Sequence, residues 1–379
     1  MSIPPGAVIL QVVPRLESGG VERGTVEIAQ AIAAAGGLPL VASEGGALVQ
    51  SVLRAGGRHI TLPLASKNPA RIWRNAASLA ALIRAERVQL VHARSRAPAW
   101  SALIAARRTG ARFVTTYHAP YREDAPGKRA YNAVMSRGER VIAISDFIAR
   151  LLVERHRLDP ARIRVIPRGV DPALFDPAAV STDRIIKLSQ TWRLPDGAPT
   201  IMLPGRLSRW KGHEVLIDAI ARMQVRDAVA VLVGGLQGRE RFATALERKS
   251  RSAGVANRLR LTGHCADMPG ALMLADVVVS ASTEPEGFGR AVIEAQAMAR
   301  PVIATDHGGA AETVEPGVTG WRVPPGDPDA LAAALDRVLA LGLEERQALG
   351  ARARAAVLGR YTTARMQAAT LDVYGELLG

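Results

Sequence analysis

The chain has 379 residues, more than one ordinary hydrophobic core accommodates, and this length predicts two or three domains. Its apolar content of 48% and charged content of 22% are typical of a globular protein, and no apolar run approaches the roughly 20 residues of a membrane span. Cys265 is the single cysteine, which excludes an internal disulfide and indicates a reducing compartment.

The formal net charge of +14 is unevenly distributed. Residues 1–170 carry 25 Lys and Arg against 11 Asp and Glu, whereas residues 171–379 carry 24 of each. Only five of the basic residues are lysine, so coding bias towards arginine explains part of the excess, but a uniform bias does not place all of it in one half. We therefore expect an anionic partner, a membrane surface or an acidic lipid-linked substrate, with incidental asymmetry as the alternative.

The N-terminal segment, residues 1–10, lacks a basic stretch followed by a long apolar core and is not typical of a signal peptide. Together with the lack of a membrane span, this predicts a cytoplasmic protein.

Short apolar strands alternate with amphipathic helices in the first half, a pattern typical of a parallel sheet. The predicted strands are residues 8–13, 40–43, 59–62, 90–93, 113–117, 141–144 and 164–166. The predicted helices include residues 22–35, 71–86, 99–107 and 146–156.

A segment rich in proline and glycine, residues 167–172, predicts a linker between domains. A second alternating series follows, with strands at 201–203, 229–233, 260–262, 277–281 and 302–304 and helices at 213–223, 242–253, 291–299 and 330–341. The fold class is therefore α/β, with two Rossmann-like domains, 1–170 and 171–361, that we expect to face each other across a cleft. The last helix, residues 363–378 within the segment 362–379, has no strand after it and is predicted to pack back on the first domain.

The most informative segment is Glu286-Gly-Phe-Gly-Arg-Ala-Val-Ile-Glu294, which follows an apolar strand. Ligands of open α/β sheets bind at the carboxyl ends of strands, where helix N-termini attract phosphate. Glu286 is expected in the loop and Glu294 about two turns into the helix, roughly 12 Å along its axis. The two carboxylates are thus placed to contact a sugar and a ribose of one extended ligand. Surface charge with a helix-dipole contact is the alternative.

Two other strand-to-helix turns contain glycine. The turn with Gly19, Gly20 and Gly24 suits an approaching anion, although a plain tight turn explains it as well. The segment 204–213 contains Arg206 and Lys211, two cations able to hold a diphosphate. Lysine is scarce in this chain, which favours a functional role for Lys211.

His118 ends the predicted strand 113–117, so it is placed to face a cleft. A hydrogen-bonded structural histidine is the alternative. His92 ends the previous strand and has the same two interpretations. No spacing of histidines predicts a metal site. Asp327-Pro-Asp329 matches a short Asp-x-Asp pattern that can hold a divalent cation, but it directly precedes a helical pattern and is interpreted as a helix N-cap.

Together these motifs resemble the retaining glycosyltransferases of family 4, which have the GT-B fold. The resemblance covers nearly the full length and is most specific at 204–212, 284–298 and 301–324. It implies a transferase that binds a nucleotide-sugar donor mainly on the second domain, and a glycan or lipid-linked acceptor mainly on the first. The basic first half favours an acceptor of the cell envelope, such as a lipopolysaccharide core, and an enzyme peripheral on the inner membrane face.

The resemblance also implies roles for single residues. Arg206 and Lys211 neutralise the diphosphate, and Glu294 holds the ribose. Glu286 contacts the transferred sugar, supported by the amides of a glycine turn. That turn contains Gly287, Phe288 and Gly289. His118 touches the sugar from the opposite domain, and Gly20 lets the backbone approach the phosphates. Neither a metal nor another cofactor is expected.

Two positions depart from the family pattern: Arg290 stands where many relatives have an aliphatic residue, and Arg168 where asparagine is common. Two other functions stay open. One is a nucleotide-sugar epimerase of similar shape, and the other is a basic nucleic-acid-binding protein, for which no binding module is recognised.

Overall fold

The computed structural model describes residues 3–17 and 19–379. Met1 and Ser2 of the N-terminal segment and Ser18 of the glycine-rich turn lie outside the described residues. The chain divides into two compact units, one formed by Met1–Arg168 with Thr363–Gly379 and the other by Gly169–Thr362. The first unit ends at Arg168, two residues before the predicted domain boundary at residue 170. Its last segment begins at Thr363, one residue after the predicted start at residue 362.

The first unit is a parallel sheet covered by helices. Its strands are β1 (Val8–Val12), β2 (Leu38–Ser43), β3 (Arg58–Thr61), β4 (Leu90–Ala93), β5 (Arg112–Tyr117), β6 (Arg140–Ala143) and β7 (Ile163–Val165). Its helices up to the linker are α1 (Gly20–Ala34), α2 (Val49–Arg54), α3 (Pro69–Ala85), α4 (Arg96–Thr109), α5 (Lys128–Asn132) and α6 (Asp146–His156). Within the described residues, the strand order is β3-β2-β1-β4-β5-β6-β7. The order reverses between β1 and β4, so the carboxyl ends of these strands flank the usual ligand crevice of such sheets.

The second unit repeats this architecture with a smaller sheet. Its strands are β8 (Thr200–Pro204), β9 (Val229–Val233), β10 (Leu259–Gly263), β11 (Val277–Ser280), β12 (Val302–Thr305) and β13 (Trp321–Val323). Its helices are α7 (Thr182–Trp192), α8 (His213–Arg222), α9 (Glu240–Ser252), α10 (Met268–Met273), α11 (Arg290–Ala297), α12 (Pro328–Leu339) and α13 (Leu343–Arg360). The strand order is β10-β9-β8-β11-β12-β13 over the described part of the unit. Here the order reverses between β8 and β11, the strands that precede the two predicted donor motifs.

The last helix, α14 (Thr363–Leu378), belongs to the first unit, as the sequence predicts. Its buried residues Met366, Val373 and Tyr374 join the core formed by β1, α1 and their neighbours. The Tyr374 hydroxyl also lies 2.6 Å from Nδ1 of His92 on β4. Apolar packing and one buried hydrogen bond therefore fix this helix on the first unit.

The predicted strands are all present, but strand β13 and five helices were not predicted. β13 has three residues with an arginine at its centre, so it gives no apolar run. Helices α2, α5 and α10 have six residues or fewer, too short for a periodic pattern to emerge. The longer α7 and α13 were also missed. In the part of the chain that the structure covers, we find no helix with the length and hydropathy of a bilayer span.

Candidate active site

The loop after β8 carries Arg206, and two glycines shape it. Gly205 has a φ of +152°, a conformation that favours glycine. A methyl group on Gly234, at the end of the neighbouring β9, would lie 1.9 Å from the Gly205 carbonyl oxygen. The two backbones therefore come together only because Gly234 lacks a side chain. Arg206 follows this contact and is exposed, at the carboxyl edge of the sheet.

Lys211 is held against the end of β11 by the residue after it. Gly212 has a φ of +72°, and a methyl group there would lie 1.8 Å from the Ala281 carbonyl oxygen. The Lys211 ammonium lies 2.7 Å from Oε1 of Glu286 and 4.5 Å from the ring centroid of Trp210. The turn after β8 and the loop after β11 thus join in one ion pair, which is mostly buried: the side chains are 17% and 11% exposed.

The Glu286 carboxylate accepts hydrogen bonds from three side chains, all at Oε1. Besides Lys211, these are the hydroxyls of Ser280, at 3.3 Å, and of Ser282. Burial alone would raise the pKa of this carboxyl, but the charge of Lys211 and the three hydrogen bonds together hold its pKa below the usual value. Glu286 is therefore an anion near neutral pH.

The glycine turn after Glu286 fits closely against the loop after β12. The Gly309 amide donates to the Glu286 carbonyl at 2.8 Å, and a methyl group on Gly309 would lie 2.3 Å from the Gly287 carbonyl oxygen. Gly289 has a φ of +89° and caps α11. The Phe288 side chain is buried and meets the Tyr361 ring edge-on at 5.4 Å. Phe288 thus packs inside the unit, and only its backbone is left for the predicted ligand contact.

Glu294 lies nearer to the start of its helix than predicted. Helix α11 begins at Arg290, so Glu294 is just over one turn from the start, about 6 Å along the axis. The prediction of two turns was wrong because Gly289, with its positive φ, caps the helix and leaves residues 286–289 outside it. Arg290 Nε lies 3.5 Å from Oε1 of Glu294, and both side chains are largely buried. Arg290, which departs from the family pattern, therefore pairs with Glu294, the residue predicted to bind the ribose.

In the first unit, polar residues gather where β1, β4, β5 and β7 end. His118 follows β5, and its Nδ1 lies 2.5 Å from Nη2 of Arg168. Arg94 follows β4, is 2% exposed, and donates to Gln11 at 3.2 Å. Gly20, the other predicted residue of this unit, is the first residue of α1. Burial and the charges of Arg168 and Arg94 hold the pKa of the His118 imidazole well below its usual value.

Two other candidates are structural. His92 is fully buried, and its ring nitrogens lie 2.6 Å from the Tyr374 hydroxyl and 2.7 Å from the Thr116 hydroxyl, so the structural interpretation of His92 holds. Asp327 accepts from the amides of residues 329 and 330 as the N-cap of α12. Among residues 3–17 and 19–379, no three His, Cys, Asp or Glu side chains are grouped to hold a metal ion.

The structure thus brings Lys211 and Glu286 into contact and places Glu294 on the helix that follows the glycine turn. Arg206 lies in the loop after β8, from which the Lys211 turn also continues. Sequence reasoning missed Ser280, Ser282 and Arg168. The two serines alternate along the end of β11, so their period of two would have indicated that they share a face. Arg168 was noticed only as a departure from the family.

Solved structures with this fold define the class. A glycosyltransferase of Rickettsia africae ESF-5 is 37% identical, with a TM-score of 0.91 over 98% of this chain and 99% of that one. Anabaena Alr3699/HepE, solved in complex with UDP and glucose, is 25% identical, with a TM-score of 0.84 over 97% and 98%. The fold is therefore that of the GT-B glycosyltransferases, as predicted.

Sequence comparisons then give the family. Residues 18–174 match the model of Glycosyltransferase Family 4, and residues 198–340 match that of Glycosyl transferases group 1. A D-inositol 3-phosphate glycosyltransferase of Nocardiopsis dassonvillei is 31% identical over 306 residues, 75% of this chain and 70% of that protein. The chain belongs to glycosyltransferase family 4. The matches span only 52% to 70% of the first three curated relatives' own lengths.

Proposed function

We propose that this protein moves a sugar, with retention of anomeric configuration, from a nucleotide-sugar donor to a glycan or lipid-linked acceptor. One observation carries the proposal: Lys211 and Glu286 meet at the carboxyl edge of the second sheet, beside the glycine turn that opens α11. A cation, a carboxylate and a helix N-terminus there suit a diphosphate joined to a sugar. The donor is assigned to the second unit and the acceptor to the first.

The reaction mainly requires charged side chains placed where charge develops in the transition state. Glycosyl transfer passes through a state with positive charge on the sugar, while the departing diphosphate gains negative charge. Lys211 and Arg206 stabilise that leaving group in place of a general acid. The ribose hydroxyls are assigned to Glu294, and no step requires a metal ion or another cofactor. A chelator therefore leaves the rate unchanged.

We assign Glu286 a role in charge stabilisation and orientation, because its contacts hold it as an oriented anion. Its Oε1 accepts from Lys211, Ser280 and Ser282. These donors orient the carboxylate, and the Lys211 charge and the hydrogen bonds hold its pKa below the usual value, so Glu286 is an anion able to stabilise positive charge on the sugar. Glu286→Gln keeps the shape, so a charge role predicts a loss of about 10²- to 10³-fold in kcat.

Product analysis tests the reaction. The full chain is incubated with UDP-, GDP- and ADP-sugars, with and without a glycolipid extract, and the products are resolved by mass spectrometry and NMR. Transfer predicts a free nucleoside diphosphate and an acceptor heavier by one sugar, with the α or β form of the donor retained. An isomerised donor formed without acceptor would instead identify an epimerase.

The acceptor class follows from the charge of the first unit. The excess of basic residues in 1–170 suits an acidic envelope glycolipid such as a lipopolysaccharide core. The curated relatives are named for inositol 3-phosphate, which also carries negative charge. Parallel assays with a core-type glycolipid and with inositol phosphates distinguish the two, and we expect the glycolipid to be glycosylated.

A membrane-facing surface is also proposed for the first unit, on the packed helices α3 and α4. Neither residues 67–85 nor residues 94–112 contain an acidic side chain. The exposed cations of these two segments are Lys67, Arg71, Arg74, Arg84, Arg107, Arg108 and Arg112. Trp73 is 56% exposed among them, with the Arg108 guanidinium 5.1 Å from its ring. Cations around an exposed tryptophan suit an anionic bilayer interface, which would place the enzyme on the cytoplasmic face.

Sedimentation with vesicles tests this surface. Arg71→Glu with Arg74→Glu is expected to weaken binding to phosphatidylglycerol vesicles by at least about tenfold, because each cation near such a surface contributes about 1 kcal/mol. The control is Arg241→Glu with Arg248→Glu on α9, a helix that also carries acidic residues. Equal binding by both double variants would remove α3 from the interface.

A further inference from the structure

Two side chains of the loop after β12 bond the backbone of the loop after β11. Thr305, the last residue of β12, donates its hydroxyl to the Ser282 carbonyl oxygen at 3.0 Å. Nε2 of His307 lies 2.8 Å from the same oxygen. Ser282 and Thr305 are 1% and 2% exposed, so this carbonyl meets both donors away from water.

Strand pairing explains why these two side chains reach one oxygen. β11 and β12 run parallel with Ser280 opposite Ala304, so the residues that follow each strand leave the sheet edge as neighbours. The backbone is still extended at His307, with a φ of −157° and a ψ of 162°. Side chains two positions apart on an extended backbone point to the same side, and Thr305 and His307 are such a pair.

The chemistry of the carbonyl fixes which group donates. A backbone carbonyl oxygen has two lone pairs and no hydrogen, so Nε2 of His307 must carry the hydrogen of this bond. A neutral imidazole with its hydrogen on Nε2 and a charged imidazolium both donate from that atom. The contact with Ser282 therefore holds in either charge state of His307.

Ser282 links this contact to Glu286. Its hydroxyl donates to Oε1 of Glu286, the oxygen that also accepts from Lys211 and Ser280. The loop after β12 also fits closely against the backbone there, because a methyl group on Gly308 would lie 2.7 Å from the Glu286 carbonyl oxygen. This loop thus contacts Glu286 directly at its backbone and, through Ser282, at its carboxylate.

We propose that His307, assisted by Thr305, is a positioning residue that fixes Ser282, so that the serine hydroxyl keeps the Glu286 carboxylate aimed at the transferred sugar. The contact with the sugar rests on the function proposed above, whereas the placement of Glu286 rests on contacts within the second unit alone. Without the histidine donor, the Ser282 backbone is free to turn and its hydroxyl loses its alignment with Oε1.

The first test follows Glu286 without substrate. The hydrogen bond from Ser282 helps to hold the pKa of Glu286 below its usual value, so its loss raises that pKa. In protein labelled with ¹³C at the glutamate carboxyl carbons, the Glu286 signal is identified by its absence from Glu286→Gln. His307→Leu and Ser282→Ala should each move the titration of this signal to higher pH.

A double variant shows whether His307 acts through Ser282. When His307→Leu is added to Ser282→Ala, the titration of Glu286 should show no further shift, because residues acting in one chain of contacts are not additive. The same titration in His307→Leu and the wild type, or shifts that add in the double variant, would overturn the inference.

Kinetics gives the second test. His307→Leu should lower kcat about tenfold, the effect of one misaligned hydrogen bond, and leave the KM for the donor near that of the wild type. His307→Gln keeps an amide donor and should restore most of kcat. Losses in kcat that add when His307→Leu is combined with Ser282→Ala would contradict the positioning role. If no protein transfers a sugar, the proposed function fails, while the titrations still decide whether His307 positions Glu286.

Two further variants separate positioning from a general loss of stability. His59→Leu is the matched control, because Nε2 of His59 lies 2.8 Å from the Ser43 hydroxyl in the first unit. It should alter urea unfolding but neither the Glu286 titration nor kcat. Thr305→Val keeps the side-chain shape, removes the second donor to Ser282, and should shift the Glu286 titration in the same direction as His307→Leu. It tests the inference even if His307→Leu does not fold, and an unshifted titration in Thr305→Val would contradict it.

Discussion

Replacing Lys211 with alanine perturbs the ion pair on which the donor site depends. Breaking a buried pair by removing one partner costs about 3–5 kcal/mol, whereas an exposed pair contributes about 0–1 kcal/mol. The Lys211–Glu286 pair is 17% and 11% exposed, and Ser280 and Ser282 remain as donors. We therefore expect the free energy of unfolding to fall by about 2 kcal/mol at pH 7, an intermediate value between those limits.

A second lysine pair in the same unit provides the control. Lys249 and Asp218 also lie 2.7 Å apart, but their side chains are 32% and 33% exposed. Lys249→Ala should lower the free energy of unfolding by less than about 1 kcal/mol, because water screens this pair. Urea unfolding followed by circular dichroism measures both variants.

The loss in Lys211→Ala should depend on pH in a defined direction. The folded-state pKa of Glu286 lies below its ordinary value of 4.5, so the stability that it contributes is present above that value. It disappears as the pH falls through the folded-state pKa. The difference between wild type and Lys211→Ala should therefore be greatest near neutral pH and shrink below pH 4.5. A difference that grows towards acid pH would refute the reasoning.

Donor binding supplies the functional measurement for the same variant. A ligand at 100 times its Kd stabilises the folded state by about 2.7 kcal/mol. Loss of a charged hydrogen bond to the diphosphate costs about 2 kcal/mol, so the rise in melting temperature at the same donor concentration should fall by about two thirds. Lys249→Ala should keep the full rise. A full rise in Lys211→Ala would remove the lysine from the diphosphate site.

Three further variants test other parts of the account. Glu294→Gln should weaken donor binding by about tenfold in calorimetry, because a charged acceptor for the ribose hydroxyls is lost. Unchanged affinity would contradict the ribose contact and limit Glu294 to its ion pair with Arg290. Asp327→Ala should lower the free energy of unfolding by about 1 kcal/mol through loss of the α12 cap and leave activity intact with or without EDTA, whereas lost activity restored by a divalent cation would show a metal role. Tyr374→Phe should destabilise the first unit by about 1–3 kcal/mol because a buried nitrogen of His92 loses its partner, and unaltered urea unfolding would contradict that.

The main features of the fold could be predicted from the sequence because parallel strands leave continuous apolar runs. The segment 229–233 and the helices 146–156 and 363–378 were predicted with the observed bounds. Weak local signals explain part of the remainder. Strand β13 is stabilised by pairing with β12 and not by its own three residues.

The site was predicted only as far as residue types and order allow. The glycine turn and the two glutamates indicated a site at the end of β11. However, no sequence pattern reveals that Lys211 donates a hydrogen bond to Glu286, 75 residues further along the chain. The contact between His118 and Arg168 is also long-range. Such pairs depend on which strand ends become neighbours, and that follows from the strand order of each sheet.

The most direct test of the central claim is calorimetric titration of the full chain with nucleoside diphosphates and the matching monophosphates. The account assigns the second phosphate to Lys211 and Arg206, so the preferred diphosphate should bind at least about tenfold more tightly than its monophosphate. In Lys211→Ala and Arg206→Ala that preference should largely disappear while the monophosphate affinity stays near that of the wild type. Equal binding of diphosphate and monophosphate by the wild type, for every base, would contradict the claim that this edge of the second unit binds a nucleotide-sugar.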